Sequence, residues 1–243
     1  MQNIHKSFGG IEVIKGASID IKEFEICGLI GPNGAGKSTF FNMISGLIRP
    51  DSGSIIFNGQ DITREKPFKI ANLGIGRTFQ IVRPYKGLTV RENLLPALMY
   101  AGKESNLSKA TDDAEKLLEL VNLSHKANIP AEYLTLSEKK SLEIAKALAT
   151  RPKLLLLDEC FAGLSTVDVD EKIRQIKHIS KELKLTILIV EHVMKAVMEV
   201  CDRVFVLSAG GIIANGVPEE VVKDENVINV YLGQRKEVKD VKC

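Results

Sequence analysis

The chain has no apolar run long enough to cross a bilayer. Its longest, "LLLL" and "LTILIV", fall far short of the roughly 20 residues a spanning helix needs. Any membrane role therefore has to come through a partner. No basic start leads into an apolar core, so no signal peptide is expected. There is no CxxC pair. Cys27, Cys160, Cys201 and Cys243 are scattered, which argues against a zinc site or disulfide framework and fits reduced thiols. Strong charge of one sign is also missing: the net charge of +2 gives no bulk attraction to nucleic acid. No aromatic-studded basic patch supplies one locally, and there is neither an internal repeat nor a long coiled coil.

What is present is ordinary globular composition, 44% hydrophobic and 26% charged, in 243 residues, enough for one large domain or two lobes on a shared core. Residues 4–31 alternate apolar and polar positions and then turn wholly apolar, which predicts antiparallel strands leading into a buried strand over 26–30. "GSIIFNGQDI" predicts a further short strand ended by the turn pair Asn58 and Gly59. From 89 to 149 the pattern is helical, with Ala114, Leu117, Leu118 and Val121 on one stripe and Asp112 four residues from Lys116. Apolar strands return at "KLLLLDE" and "LTILIVEH", separated by a helix with the stripe Val169, Ile173, Ile176 and Leu183. That order predicts a parallel sheet covered on both faces. A hairpin is expected at Gly210 and Gly211, then a helix from Pro218 towards Leu232 and a charged, fraying tail over 234–243.

Two motifs carry chemistry. "GPNGAGKST", residues 31–39, fits GxxxxGK[ST] after a buried strand and before a helix. There the backbone of Asn33, Gly34, Ala35 and Gly36 can turn its N–H groups on phosphate, with the helix start adding positive potential. Lys37 reaches the terminal phosphates, Thr39 completes the motif, and the Ser38 hydroxyl is a ligand for Mg²⁺. The competing reading is a glycine loop that only turns the chain. The second motif is "LLLLDEC". Asp158 is expected at the carboxyl edge of a buried strand, as a metal-holding carboxylate, with Glu159 next to it to orient or deprotonate a water. The bland alternative is an acidic pair capping the next helix. Gln80 in "GIGRTFQ" is a candidate contact to Mg²⁺ or water. His192, after "LIVE", is a candidate γ-phosphate partner. A solvated amide and a structural histidine are the plain readings of those two.

Taken in order, these segments resemble the ATP-binding subunits of ABC transporters over almost the whole chain. The stretches "GIGRTFQIVRPYKGLTVRENLL" and "SLEIAKALATRPKLLLLDE" look most like the branched-chain amino-acid (or urea) uptake branch. The resemblance implies an α/β fold: a P-loop NTPase core with a mostly parallel sheet, an N-terminal antiparallel β subdomain and an inserted helical subdomain. The core would be 1–86 with 150–243, and the helical part 87–149. It implies ATP and Mg²⁺ as ligands and Phe8 as the adenine-stacking aromatic. It implies a second ATP-binding subunit, integral permease subunits and, indirectly, a solute-binding protein. It places the chain peripherally on the cytoplasmic face of the membrane, with no nucleic-acid partner. It also implies a first strand trimmed at Met1.

The resemblance exposes departures. Two such subunits pair head to tail, each ATP being completed by the other's signature turn, usually LSGGQ. Residues 133–148, "YLTLSEKKSLEIAKAL", contain no glycine, and Leu134, Thr135, Leu136, Ser137 and Glu138 stand at the signature. Thr135 keeps a hydroxyl there. Thr135 and Glu138 also read as a T-x-x-E capping box. A carboxylate roughly 4 Å from a γ-phosphate would cost about 4 kcal/mol at an effective dielectric of 20. Lys139 and Lys140 could offset this by pointing inwards; the plainer expectation is a capped helix with two solvated lysines. Unequal ATP sites in a heterodimer follow as an expectation. Ser165 stands in the "AGLS" loop where many members carry Asp, and Cys160 stands where proline is common.

Overall fold

A computed structural model of the chain describes residues 1–79, 82–102 and 104–237. Its strands are β1 (Gln2–Phe8), β2 (Ile11–Ala17), β3 (Ile26–Ile30), β4 (Ser52–Ser54), β5 (Ile56–Phe57), β6 (Gln60–Asp61), β7 (Ile75–Arg77), β8 (Leu154–Asp158), β9 (Thr186–Val190), β10 (Arg203–Ser208) and β11 (Gly211–Gly216). Its α-helices are α1 (Lys37–Ile44), α2 (Pro67–Leu73), α3 (Leu95–Tyr100), α4 (Leu107–Leu120), α5 (Leu136–Leu148), α6 (Thr166–Leu183), α7 (Met194–Val200), α8 (Pro218–Val221) and α9 (Glu225–Glu237). Among the described residues no helix is long and apolar enough to cross a membrane. The chain divides into two compact units, one formed by 1–67 with 190–243 and the other by 68–189.

In the first unit, β2, β1 and β4 form an antiparallel sheet that buries Ile4, Ile14 and Ala17, with register shifts after Ile4 and Lys6 interrupting strict alternation. The expected single strand near residue 55 is instead β4 followed by the hairpin β5–β6. Asn58 and Gly59 both take positive φ, 48° and 77°, the backbone a tight hairpin turn requires. β3 is buried throughout and runs parallel to β10, which pairs antiparallel with β11. The turn between β10 and β11 lies at Ala209 and Gly210, one residue earlier than expected. The hairpin is tied to β2 by a hydrogen bond from Lys15 N to Gly210 O of 2.8 Å. The last expected helix is two helices. Asp224 breaks them by capping α9, its carboxylate accepting from Asn226 N at 2.8 Å. α9 extends to Glu237, so it overlaps the expected tail, whose residues 238–243 lie outside those described.

In the second unit β9, β8 and β7 lie side by side in that order, with β7 and β8 parallel. The five residues of β8 are all buried, as four leucines in succession require. α6 starts at Ser165, whose hydroxyl accepts from Asp168 N, and ends at Lys184 in the left-handed conformation. Val169, Ile173 and Ile176 face inwards as expected. Ile179 completes the stripe, while Leu183 is exposed. The region from 89 to 149 is helical, as its pattern predicts. Asn106 caps α4, and Ala110, Ala114 and Leu118 bury its inner face. Lys116 pairs with Asp113 at 3.2 Å, three residues back, rather than with Asp112. The mixed sheet strands, the separate N-terminal antiparallel strands and the helices together make a P-loop NTPase type of α/β fold.

Candidate functional site

The phosphate loop belongs to the first unit. β3 delivers Gly31 beside β10, where an added Cβ would lie 2.0 Å from Leu207 O, so only glycine fits. Gly36 closes the loop at φ 105° and is the N-cap of α1, and no side chain makes a cap hydrogen bond there. The first turn of α1 carries no acidic residue. The helix start is thus left without a side-chain cap or an acidic residue of its own first turn, the arrangement that receives an anion. Ala35 is buried, Asn33, Gly34 and Ser38 are exposed, and Thr39 is half-buried. Lys37 is buried, and its ammonium donates to Gly31 O at 2.7 Å and Pro32 O at 3.0 Å. It thus lies folded along the loop it is expected to serve. Sequence reading missed Tyr231 on α9, whose hydroxyl accepts the Gly31 N–H; burial raises the Tyr231 pKa and that bond opposes the rise.

Phe8, at the end of β1, is 44% exposed, with the Lys6 ammonium 5.3 Å from its ring centre. His192 presents an exposed imidazole just after β9. The backbone N–H groups of His192 and Val193 donate to the carboxylate of Glu191, which is buried, at 3.0 and 3.3 Å. That fixes the backbone from which His192 projects.

The acid pair belongs to the second unit. Asp158 ends β8 with its side chain buried and held by Arg77 Nη2 at 2.8 Å. Its N–H donates to Thr78 Oγ1 at 3.1 Å. Arg77 is a second residue that the sequence reading missed. Its partner in register is Leu156 on β8, two residues from Asp158 and therefore on the same face. Glu159, next along, has φ 48°, in the left-handed region where a side chain is disfavoured. Its carbonyl accepts from Lys140 Nζ at 2.7 Å and from Ala162 N at 3.3 Å. Thr78, Phe79, Lys140, Asp158, Glu159 and Cys160 line a small cleft. Gln80 lies outside the described residues. The Ser38 hydroxyl and Asp158 carboxylate are hard oxygen donors, the kind Mg²⁺ takes, and the bond to Arg77 shows that the carboxylate already faces positive charge. Among the described residues no group of three His, Cys, Asp or Glu could hold a metal.

The glycine-free segment forms the capping box its spelling predicts. Thr135 N donates to Glu138 Oε2 at 2.9 Å, and Glu138 N to Thr135 Oγ1 at 3.3 Å. Glu138 also forms an ion pair with Lys126. Burial raises the Glu138 pKa, but the bonds from Lys126 and Thr135 outweigh it and hold the carboxyl below its usual range. The carboxylate is therefore neutralised within the chain, which lessens the repulsion expected towards a phosphate. Of the two lysines, Lys139 is half-buried and Lys140 is buried, contrary to the expectation of two solvated ones. Beneath them Lys172 on α6 donates to Ser141 Oγ, to Gln175 Oε1 at 2.9 Å and to Ser137 O at 3.4 Å. Burial draws its pKa down to about 8, against the pull of Cys160 and Glu171.

Comparison with known proteins gives concordant matches. The family model "ABC transporter" matches residues 14–162, and "Branched-chain amino acid ATP-binding cassette transporter" matches 212–237. The lipopolysaccharide export system ATP-binding protein LptB of Haemophilus influenzae is 39% identical over 96% of both chains. The high-affinity branched-chain amino acid transport ATP-binding protein LivG of Salmonella typhimurium is 38% identical over 93% of this chain and 94% of its own. Among solved structures, an ATP-binding cassette of an ABC transporter in its ADP conformation superposes with a TM-score of 0.87 at 33% identity, over 96% of this chain and 97% of that one.

Proposed function

Because this chain belongs to the ABC transporter ATP-binding family, hydrolysing ATP as that family does, we propose that it drives uptake of branched-chain or related amino acids. The solute branch is supported by the match over 212–237 and by relatives named for that transport. The relative named for lipopolysaccharide export, at 39% identity, favours a second reading in which the same engine serves an exporter.

The observation that carries the ATPase reading is the loop over 31–39, with two positions that demand glycine and no side-chain cap on the helix it opens. In our reading the loop amides hold the phosphates, and Lys37 exchanges its two carbonyl acceptors for phosphate oxygens. Ser38, Asp158 and Gln80 would hold Mg²⁺, which supplies charge neutralisation at the phosphates. Glu159 orients the attacking water and takes its proton. His192 bonds the γ-phosphate, and Phe8 stacks on the adenine. Thr135, Ser137 and Glu138 face the ATP of a second ATP-binding subunit. The pair is a heterodimer with unequal sites, docked on integral permease subunits at the cytoplasmic face of the membrane and supplied by a solute-binding protein.

Lys37→Ala should abolish retention of Mg-ATP. Glu159→Gln should keep it and lose turnover. Isolation of the tagged chain from membranes should bring down a permease whose reconstituted vesicles take up leucine, isoleucine or valine. Tight ATP binding by Lys37→Ala would overturn the ATPase reading. Recovery with a lipid-exporting permease would select the second solute reading.

A further inference from the structure

We infer that Lys140 is a positioning residue for ATP hydrolysis, acting on Glu159 through its main chain. The inference rests on the reading of Glu159 as the base. Glu159 is in the left-handed conformation, at φ 48°, which a residue with a side chain keeps only when its surroundings hold it. The peptide that follows sets that conformation, and its carbonyl oxygen is the atom Lys140 grips at 2.7 Å. A hydrogen bond to the same oxygen from Ala162 N is longer, at 3.3 Å, and belongs to the turn itself. A buried ammonium is costly, and packing alone would favour an apolar side chain at a position only 7% exposed. The bond to the Glu159 carbonyl is among those that hold the charge there, and charge-assisted bonds are the strong ones. With the carbonyl held, the stretch of main chain from which the Glu159 side chain projects is held too.

The position of Lys140 on α5 gives the bond a further meaning. It lies five residues from Thr135, the cap of the helix start read above as the contact to the partner subunit's ATP. A helix carries a displacement of its first turn rigidly to its second. The Glu159 main chain is thus tied to the element that reports on the other nucleotide.

The test uses the reconstituted pair of ATP-binding subunits, with this chain as the parent or as one of four variants: Lys140→Met, Lys140→Arg, Glu159→Gln and the double change Lys140→Met with Glu159→Gln. Lys140→Met should lower kcat about tenfold or more while KM and the Kd for ATP stay within about twofold. Lys140→Arg should recover most of the rate. Added to Glu159→Gln and followed by single-turnover hydrolysis, Lys140→Met should have no further effect, because its influence passes through the carboxylate already removed. An unchanged kcat would overturn the inference, as would a loss of the same size in the Glu159→Gln background or a proportional rise in KM. If Lys140→Met fails to fold, Lys140→Leu, which likewise has no donor, is read by the same criteria. If Glu159→Gln itself leaves turnover intact, the assignment of the base falls instead, whatever Lys140 does.

Discussion

Lys172 is 3% exposed, and its three hydrogen bonds go to neutral acceptors. The folded state holds its pKa near 8 against an ordinary 10.5. The protonated lysine therefore prefers the unfolded chain. Below pH 8 the native state bears the whole cost, and the cost fades as pH rises from 8 towards 10.5. A shift of this size corresponds to about 3 kcal/mol. Burial raises the buried Cys27 and Cys201 thiols, the latter to about 12, so they act in the opposite sense once the unfolded thiols ionise above about pH 9. The clean measurement is the difference between Lys172→Met and the parent in urea unfolding from pH 7 to 10. The variant's advantage should shrink, or its deficit grow, by up to about 3 kcal/mol across that range. A difference independent of pH would show that Lys172 titrates normally. Arg77 follows the same physical rule with the opposite solution: its buried charge is met by Asp158 rather than by neutral groups.

At the scale of the element, α5 shows how a segment without glycine makes a sound helix start. Leu136 and Ser137 occupy its first turn, and Thr135 and Glu138 supply reciprocal caps in place of a glycine turn. Thr135→Ala should cost about 1 kcal/mol in chemical denaturation, the usual worth of such a cap. A loss below about 0.3 kcal/mol would show that Lys126 and Glu138 hold the helix start without it. The capping box was legible from four letters because both partners lie within one turn. For the same reason the limits of β3, the four leucines of β8 and the loop over 31–39 could be read directly. Lys140 could not: its partner is 19 residues away. Arg77 meets Asp158 across 81 residues, and only once β7 is known to lie against β8 does its role appear. The same limit explains why Leu183 was placed inwards instead of Ile179, since a periodic stripe fixes a face but not where the packing neighbour ends.

At the scale of the whole molecule, the proposed assembly makes the two ATP sites unequal. Glu159→Gln in this chain should remove most of the turnover of the reconstituted pair, whereas the matching change in the partner should remove little. Equal losses would mean that the segment over 134–138 serves its ATP as well as a glycine turn does. The alternation of the N-terminal strands and the apolar strands at 154–158 and 186–190 made the class of fold readable. The shape of the carboxyl end was less so, because Asp224 divides α8 from α9 through a cap that competes with helix propensity. That end also has a practical bearing. Tyr231 rests its hydroxyl on the first amide of the phosphate loop, so a purification handle or fluorescent fusion joined behind α9 pulls on a lever whose other arm touches the nucleotide cradle.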